Sequence, residues 1–186
     1  MFSMDFLKEI NSEWTLFLDR DGVINQKIDD DYVKKIAEFQ FVDGVLESLK
    51  NFGSTFGRIV VVTNQQGIGK GLMTESNLNE VHGYMLEKIQ QSGGRIDKIY
   101  FAPNLAAENS NYRKPGTGMG LKAKEDFPEI DFEKSLLIGD SESDIEFGIN
   151  LGMKTVMLKN NRQIESKADF ICENLKEFNN HLEERQ

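Results

Sequence analysis

One cysteine, three prolines, one tryptophan and two histidines are all that the 186 residues contain of these types. Cys172, being alone, cannot close an intramolecular disulfide, and no Cys/His set with zinc-ligand spacing exists. In "ADFICENL" it reads as a small, buried apolar side chain. A chain with 39% hydrophobic and 28% charged residues is neither collagen-like, disordered nor a disulfide scaffold. No apolar run approaches the ~20 residues of a membrane span. Acidic residues interrupt "MFSMDFLKEI" where a signal peptide needs an apolar centre. The expectation is a cytoplasmic protein with no membrane partner. Positive charge is also scarce: 22 Lys and Arg against 31 Asp and Glu leave a net charge of −9. That balance repels nucleic acid, so an anionic ligand needs cations gathered locally.

What the chain does have is a succession of β-branched apolar runs separated by helical patterns. The strands expected are Trp14–Asp19, Gly57–Asn64, Ile96–Pro103, Ser135–Asp140 and Lys154–Leu158, with a further short strand in "ADFIC". The runs are continuous rather than alternating, which suits parallel strands covered on both faces. Helices are expected near Met4–Ile10 and over Val45–Phe52, Glu75–Gln91, Gly118–Asp126 and Ser143–Leu151, with another at the end of the chain. Thr74 and Gly93-Gly94 punctuate the second of the longer ones. The fold class is therefore α/β, a central parallel sheet flanked by helices, and residues 1–186 read as one domain. Two long connections, Gly22 to Asp43 and Pro103 to Lys114, are too short to fold as a separate cap.

In an open α/β sheet the ligand sits at the carboxyl ends of the strands. There the sequence places Asp19-Arg20-Asp21, then Thr63-Asn64, then Arg113-Lys114-Pro115, then Gly139-Asp140 with Asp144 just beyond. Residues i and i+2 of a strand point to the same side, so Asp19 and Asp21 are expected to face one site and Arg20 to point away. Carboxylates this close need a cation between them, and oxygen ligands with open positions suit Mg²⁺. Lys114 offers a charge for phosphate and Thr63 a hydroxyl. An Asp can attack phosphorus, and a second Asp can handle the proton. The set reads as phosphoryl transfer through an aspartyl-phosphate.

"DRDGV", "VVVTNQ", "RKP" and "IGDSESD" resemble, in order and position, the four motifs of the haloacid dehalogenase (HAD) superfamily. "FLDRDGVIN", "FQFVDGV", "VVVTNQQGIGKG", "IYFAP" and "RKPGTGM" resemble its capless branch of heptose-bisphosphate and histidinol-phosphate phosphatases, with "GLMTE" leaning toward the former. The resemblance implies a Rossmann-like HAD fold and a monomeric, Mg²⁺-dependent phosphomonoesterase acting on a small phosphorylated sugar or related metabolite. It implies that Asp19 is nucleophile and metal ligand, and that Asp21 is general acid/base with its carbonyl on the metal. Thr63 and Lys114 would hold the phosphoryl group, Asp140 would complete the metal site, and Asp144 would orient Lys114 or a metal-bound water. Asn64, Gln65, Gln66 and Arg113 match substrate-contacting positions. A module that processes DNA 3′-phosphate ends is the alternative, which the charge opposes.

Two departures stand out. The branch usually carries zinc ligands before its lysine motif; here the matching positions are Ala102, Asn104, Ser110 and Tyr112, so no zinc is expected. Ser141 stands where heptose enzymes often have lysine. Simpler readings remain beside these. Asp144 can be a first-turn acid favoured by the helix dipole. Asn64, Gln65 and Gln66 can be loop polar groups. "GIGKG" lacks P-loop spacing. His82 and His181 read as surface residues, the run Asp29–Asp31 as a solvated loop, and Phe39, Phe41, Phe52 and Phe56 as core packing.

Overall fold

The computed structural model describes residues 5–184. It contains strands β1 (Thr15–Leu18), β2 (Arg58–Asn64), β3 (Lys98–Ala102), β4 (Ser135–Gly139), β5 (Lys154–Leu158) and β6 (Phe170–Cys172). Its helices are α1 (Val45–Thr55), α2 (Gln66–Gly69), α3 (Glu75–Gln91), α4 (Gly118–Asp126), α5 (Glu142–Leu151) and α6 (Leu175–Glu184). All strands pair in parallel, in the order β3-β2-β1-β4-β5-β6. This is a Rossmann-like doubly wound sheet, and the order reverses direction between β1 and β4. Of the helix expected near Met4–Ile10, residues 5–9 form a 3-10 turn and Met4 lies outside the described residues.

Alternation along the strands divides the core in two. Leu16, Leu18, Ile59, Val61, Leu136 and Ile138 meet α1, α3 and α6 through Leu49, Phe52, Met85 and Phe178. Phe17, Val60, Val62 and Leu137 meet α4 and α5 through Met119, Ala123 and Phe147 on the other side. Each fully buried side chain of this size contributes roughly 1.5–3 kcal/mol, enough to fix the strand ends. Phe39, Phe52 and Phe56 are buried in the first cluster and Phe41 packs against it; Cys172 is also buried there. Thr74 caps α3 by accepting the N–H of Asn77 at 3.1 Å, and Gly93 takes φ +86° just past its end.

Neither long connection forms a lid among the described residues. Residues 22–43 fold back on themselves: Gln26 N–H donates to Gln40 O at 2.8 Å and Val42 N–H to Ile24 O at 3.0 Å. Residues 103–114 contain one 3-10 turn, Ala106–Glu108. No helix among the described residues is long and apolar enough to cross a membrane.

Candidate active site

The strand β1 ends at Leu18, one residue short of Asp19, and the chain then curls. Arg20 O accepts the N–H groups of Val23, Ile24 and Asn25 at 2.8–3.3 Å, and Gly22 N–H donates to Asn25 O. This turn corrects the expectation that Arg20 points away from Asp21. The strand alternation on which it rested has already stopped, so the two side chains fold together. Arg20 is wholly buried and grips Asp21, Nη2 lying 2.8 and 2.9 Å from the two carboxylate oxygens. Asn25 Nδ2 and Gln65 Nε2 donate to the same carboxylate at 2.9 and 2.8 Å. Burial alone would raise the Asp21 pKa, but Arg20 and these donors outweigh it and hold it below the ordinary value.

Asp19 N–H donates to Ile138 O of β4 at 3.0 Å, which seats Asp19 beside the end of that strand. Asp140 follows β4 directly, and Asp144 lies in the first turn of α5. Asp144 acts there as a capping partner, its Oδ2 accepting Ser141 N–H and Oγ–H at 3.1 and 2.6 Å. Its Oδ1 meets Lys114 Nζ at 2.5 Å, so the two roles expected of Asp144, helix-start acid and partner of Lys114, coexist. The approach is close because residue 139 is glycine: a Cβ there would lie 2.2 Å from Asp144 Cβ.

Lys114 is buried, its Nζ 2.8 Å from Asp19 Oδ1 and 2.6 Å from Val62 O. Burial works against its charge, but Asp144 and Asp19 prevail and raise its pKa. Asn64 clasps the backbone of Lys114 from both sides, donating to its carbonyl at 3.1 Å and accepting its N–H at 3.0 Å. The Asn64 amide is thus largely committed to the lysine, although the residue also lines the cavity.

One carboxylate oxygen from each of Asp19, Asp140 and Asp144 lies within 4.8 Å of the others, all three residues being buried. Burial pushes the Asp19 pKa up to about 7 against the pull of Lys114, and burial likewise raises Asp140. Among the described residues, Asp140 Oδ2 has cations at 3.4 Å, Lys27 Nζ and Arg162 Nη2, and its buried Oδ1 has no hydrogen-bond partner. A buried orphan oxygen beside a second carboxylate that resists ionisation fits a hard divalent cation. Both oxygens of Asp144 already have partners, and Asp21's carboxylate belongs to Arg20.

A cavity of about 250 Å³ opens onto Asp19, Asp21, Thr63, Lys114 and Asp140, with Lys27, Tyr32, Gln66 and Arg113 around it. Gln66 spans the two long loops, donating to Tyr32 Oη at 3.0 Å and accepting Ala106 N–H at 2.9 Å. Gln65, expected at the substrate, is instead wholly buried, donating to Thr63 Oγ1 at 2.9 Å as well as to Asp21. His82 corrects a second expectation. It is 5% exposed, lies in the core-facing stripe of α3 with Leu78, Val81, Met85 and Ile89, and its Nε2 is 3.2 Å from Arg20 Nη1. Burial and the Arg20 charge bring its pKa down to about 3. Its place in that apolar spacing was the sequence signal for burial. His181 is partly exposed and Asp29–Asp31 lie at the surface or near it, as expected.

Acids from the ends of the two strands at the reversal point, a buried lysine paired with Asp19 and Asp144 and a hydroxyl facing the same cavity define a phosphatase of the HAD class. The chain belongs to the polynucleotide kinase 3 phosphatase family, whose model matches residues 15–178. It is 41% identical to the D-glycero-alpha-D-manno-heptose-1,7-bisphosphate 7-phosphatase of Campylobacter jejuni over 91% of this chain and 96% of that one. With the D-glycero-beta-D-manno-heptose-1,7-bisphosphate 7-phosphatase of Helicobacter pylori strain J99 it shares 35% identity over 91% and 97%. Among solved structures, the D,D-heptose 1,7-bisphosphate phosphatase of B. bronchiseptica, complexed with magnesium and phosphate, superposes with a TM-score of 0.82 at 25% identity. That match covers 93% of this chain and 99% of the other.

Proposed function

We propose that this phosphatase removes the 7-phosphate from a D-glycero-D-manno-heptose 1,7-bisphosphate. The observation that carries the reading is the convergence of Asp19 and Asp144 on buried Lys114, with Asp140 beside them, in a cavity that also holds Arg113 and Lys27. Among the described residues those last two cations have long contacts, 3.5 Å from Arg113 Nη1 to Asn104 O and 3.4 Å from Lys27 to Asp140. They are available to a second phosphate, as a bisphosphate requires. The relatives named above for both anomers of this sugar support the same choice.

In this reading Asp19 attacks phosphorus, and the bond from phosphorus to the sugar oxygen breaks as the aspartyl-phosphate forms. Asp21 gives the departing oxygen a proton. Arg20 keeps Asp21 ionised at rest, so the proton arrives with the substrate, whose phosphate has a second pKa of about 6. Water then attacks the aspartyl-phosphate, Asp21 takes up the water's proton, and inorganic phosphate leaves with Asp19 restored. Thr63 and Lys114 hold the phosphoryl oxygens, Asn64 holds Lys114, and Asp144 steadies its ammonium. The carboxylates of Asp19 and Asp140 and the carbonyl of Asp21 would hold Mg²⁺. When bound, the ion offsets the crowded negative charge and polarises the phosphoryl group. Residues 102–113 need no zinc in this reading, since Gln66, the Asn104–Glu108 bond at 2.9 Å and the Tyr112 N–H to Ser110 Oγ bond hold them.

The family description also favours a second substrate, a polynucleotide 3′-phosphate, which the −9 net charge opposes. The test is Mg²⁺-dependent phosphate release from both heptose anomers, histidinol phosphate and a 3′-phosphorylated oligonucleotide. A heptose bisphosphate should lead in kcat/KM. A flat profile, or the oligonucleotide in front, would remove the heptose reading.

A further inference from the structure

We propose that His82 is a positioning residue for Asp21: its neutral imidazole holds one end of the Arg20 guanidinium so that the other end fixes the Asp21 carboxylate toward the phosphoryl site. The inference rests on the reading of Asp21 as the group that handles the proton.

Arg20 is fully enclosed, so each of its N–H groups needs an acceptor inside the protein. Its Nε and Nη2 reach Asp21, at 3.3 Å and at 2.8 and 2.9 Å. Its Nη1 reaches His82 Nε2 at 3.2 Å, across 62 residues of sequence. For that contact to be a hydrogen bond Nε2 must carry no proton, so the imidazole accepts there. The backbone of Arg20 is tied by three N–H donors to its carbonyl, so the side chain alone decides where the guanidinium points.

The chemical type at position 82 matters. A carboxylate there would compete with Asp21 for the guanidinium, a lysine would repel it, and an apolar side chain would leave Nη1 orphaned in the core. A neutral imidazole satisfies Nη1 and leaves the ion pair with Asp21 balanced. The ring is itself seated against Phe101 of β3, the two rings inclined at 62° with centroids 6.4 Å apart. The stripe of α3 in which His82 lies is otherwise apolar, Leu78, Val81, Met85 and Ile89, so plain packing does not ask for a histidine.

The experiment compares two substrates that differ in their need for a proton. Departure of a sugar alkoxide from heptose 1,7-bisphosphate requires one; departure of nitrophenolate from p-nitrophenyl phosphate does not. kcat/KM reports the steps through that departure, so it isolates Asp21's role as donor. His82→Met should lower kcat/KM for the heptose substrate at least about tenfold further than for p-nitrophenyl phosphate. His82→Gln, whose amide oxygen can accept from Nη1, should recover most of the difference. Equal losses on both substrates, with or without a lower Tm, or no loss on either, would overturn the positioning role. Asp21→Asn, run in parallel, tests the reading beneath it. If that variant keeps its heptose activity, the assignment of Asp21 fails. If it loses activity while His82→Met does not discriminate, only the inference fails.

Discussion

Gly22 adopts φ +88°, and a Cβ built on it would lie 2.3 Å from Asp140 Oδ2. One missing side chain therefore lets the turn after β1 touch the acid after β4. Gly22→Ala should keep its circular dichroism spectrum and lose about a hundredfold in kcat, since shifts near 1 Å at a reacting group cost that much. A variant within threefold of wild type would mean that the contact is slack. Asp140 invites the complementary substitution. Its carboxylate is buried, raised in pKa and half unpartnered. Asp140→Asn should abolish Mg²⁺-dependent turnover while raising the metal-free Tm by a few degrees, about 1 kcal/mol. It should also erase any Tm gain on adding Mg²⁺. Thermal scans with and without the ion decide both points. The acids and Thr63 were legible in the sequence because each lies at a strand end or just beyond one, and Lys114 because it closes the loop that follows the third strand. The Arg20–Asp21 pair was not, because strand alternation is a rule about extended chain and the chain is already turning at Arg20.

Among the elements, α3 shows how a helix on the core side can reach the chemistry. Its period of apolar residues made the helix readable from Glu75 to Gln91, the bounds observed. The same period placed His82 inward, yet a lone polar residue in a charged helix reads first as surface, and only its partner Arg20, just past the end of β1, changes that. Burial of a neutral imidazole has a signature in acid. The unfolded chain takes up the proton near pH 6.5, whereas the folded one resists to about 3. Stability is therefore fully present above the unfolded value and falls as pH drops below it, levelling off once the folded value is passed. At about pH 5 the cost is on the order of 2 kcal/mol relative to neutral pH. His82→Met should flatten this part of the profile. Urea midpoints for metal-free protein at neutral and mildly acid pH measure it, and parallel losses in both proteins would assign the acid sensitivity elsewhere.

At the scale of the whole molecule, a few cations are concentrated against a general excess of acids. Acids are in surplus over the chain, and Lys27, Arg113 and Lys114 gather at the one cavity where they can meet a phosphate beside the catalytic acids. Such a surface discriminates by size: a small bisphosphate meets the local cations, while a polyanion also meets the acidic surroundings. Lengthening a 3′-phosphorylated oligonucleotide from about two to about ten nucleotides should leave KM unimproved or worse, because added phosphates find few cations. A KM that falls steadily with length would contradict this. The strand order carries another consequence. The first strand lies at the centre of the sheet, and its neighbour β4 is complete only at Gly139. During synthesis β1 and β2 can pair early, but the acid that faces Asp19 emerges about 120 residues after it. A chain truncated before Asp140 should therefore release no phosphate, and the activity is expected only of copies made past that residue.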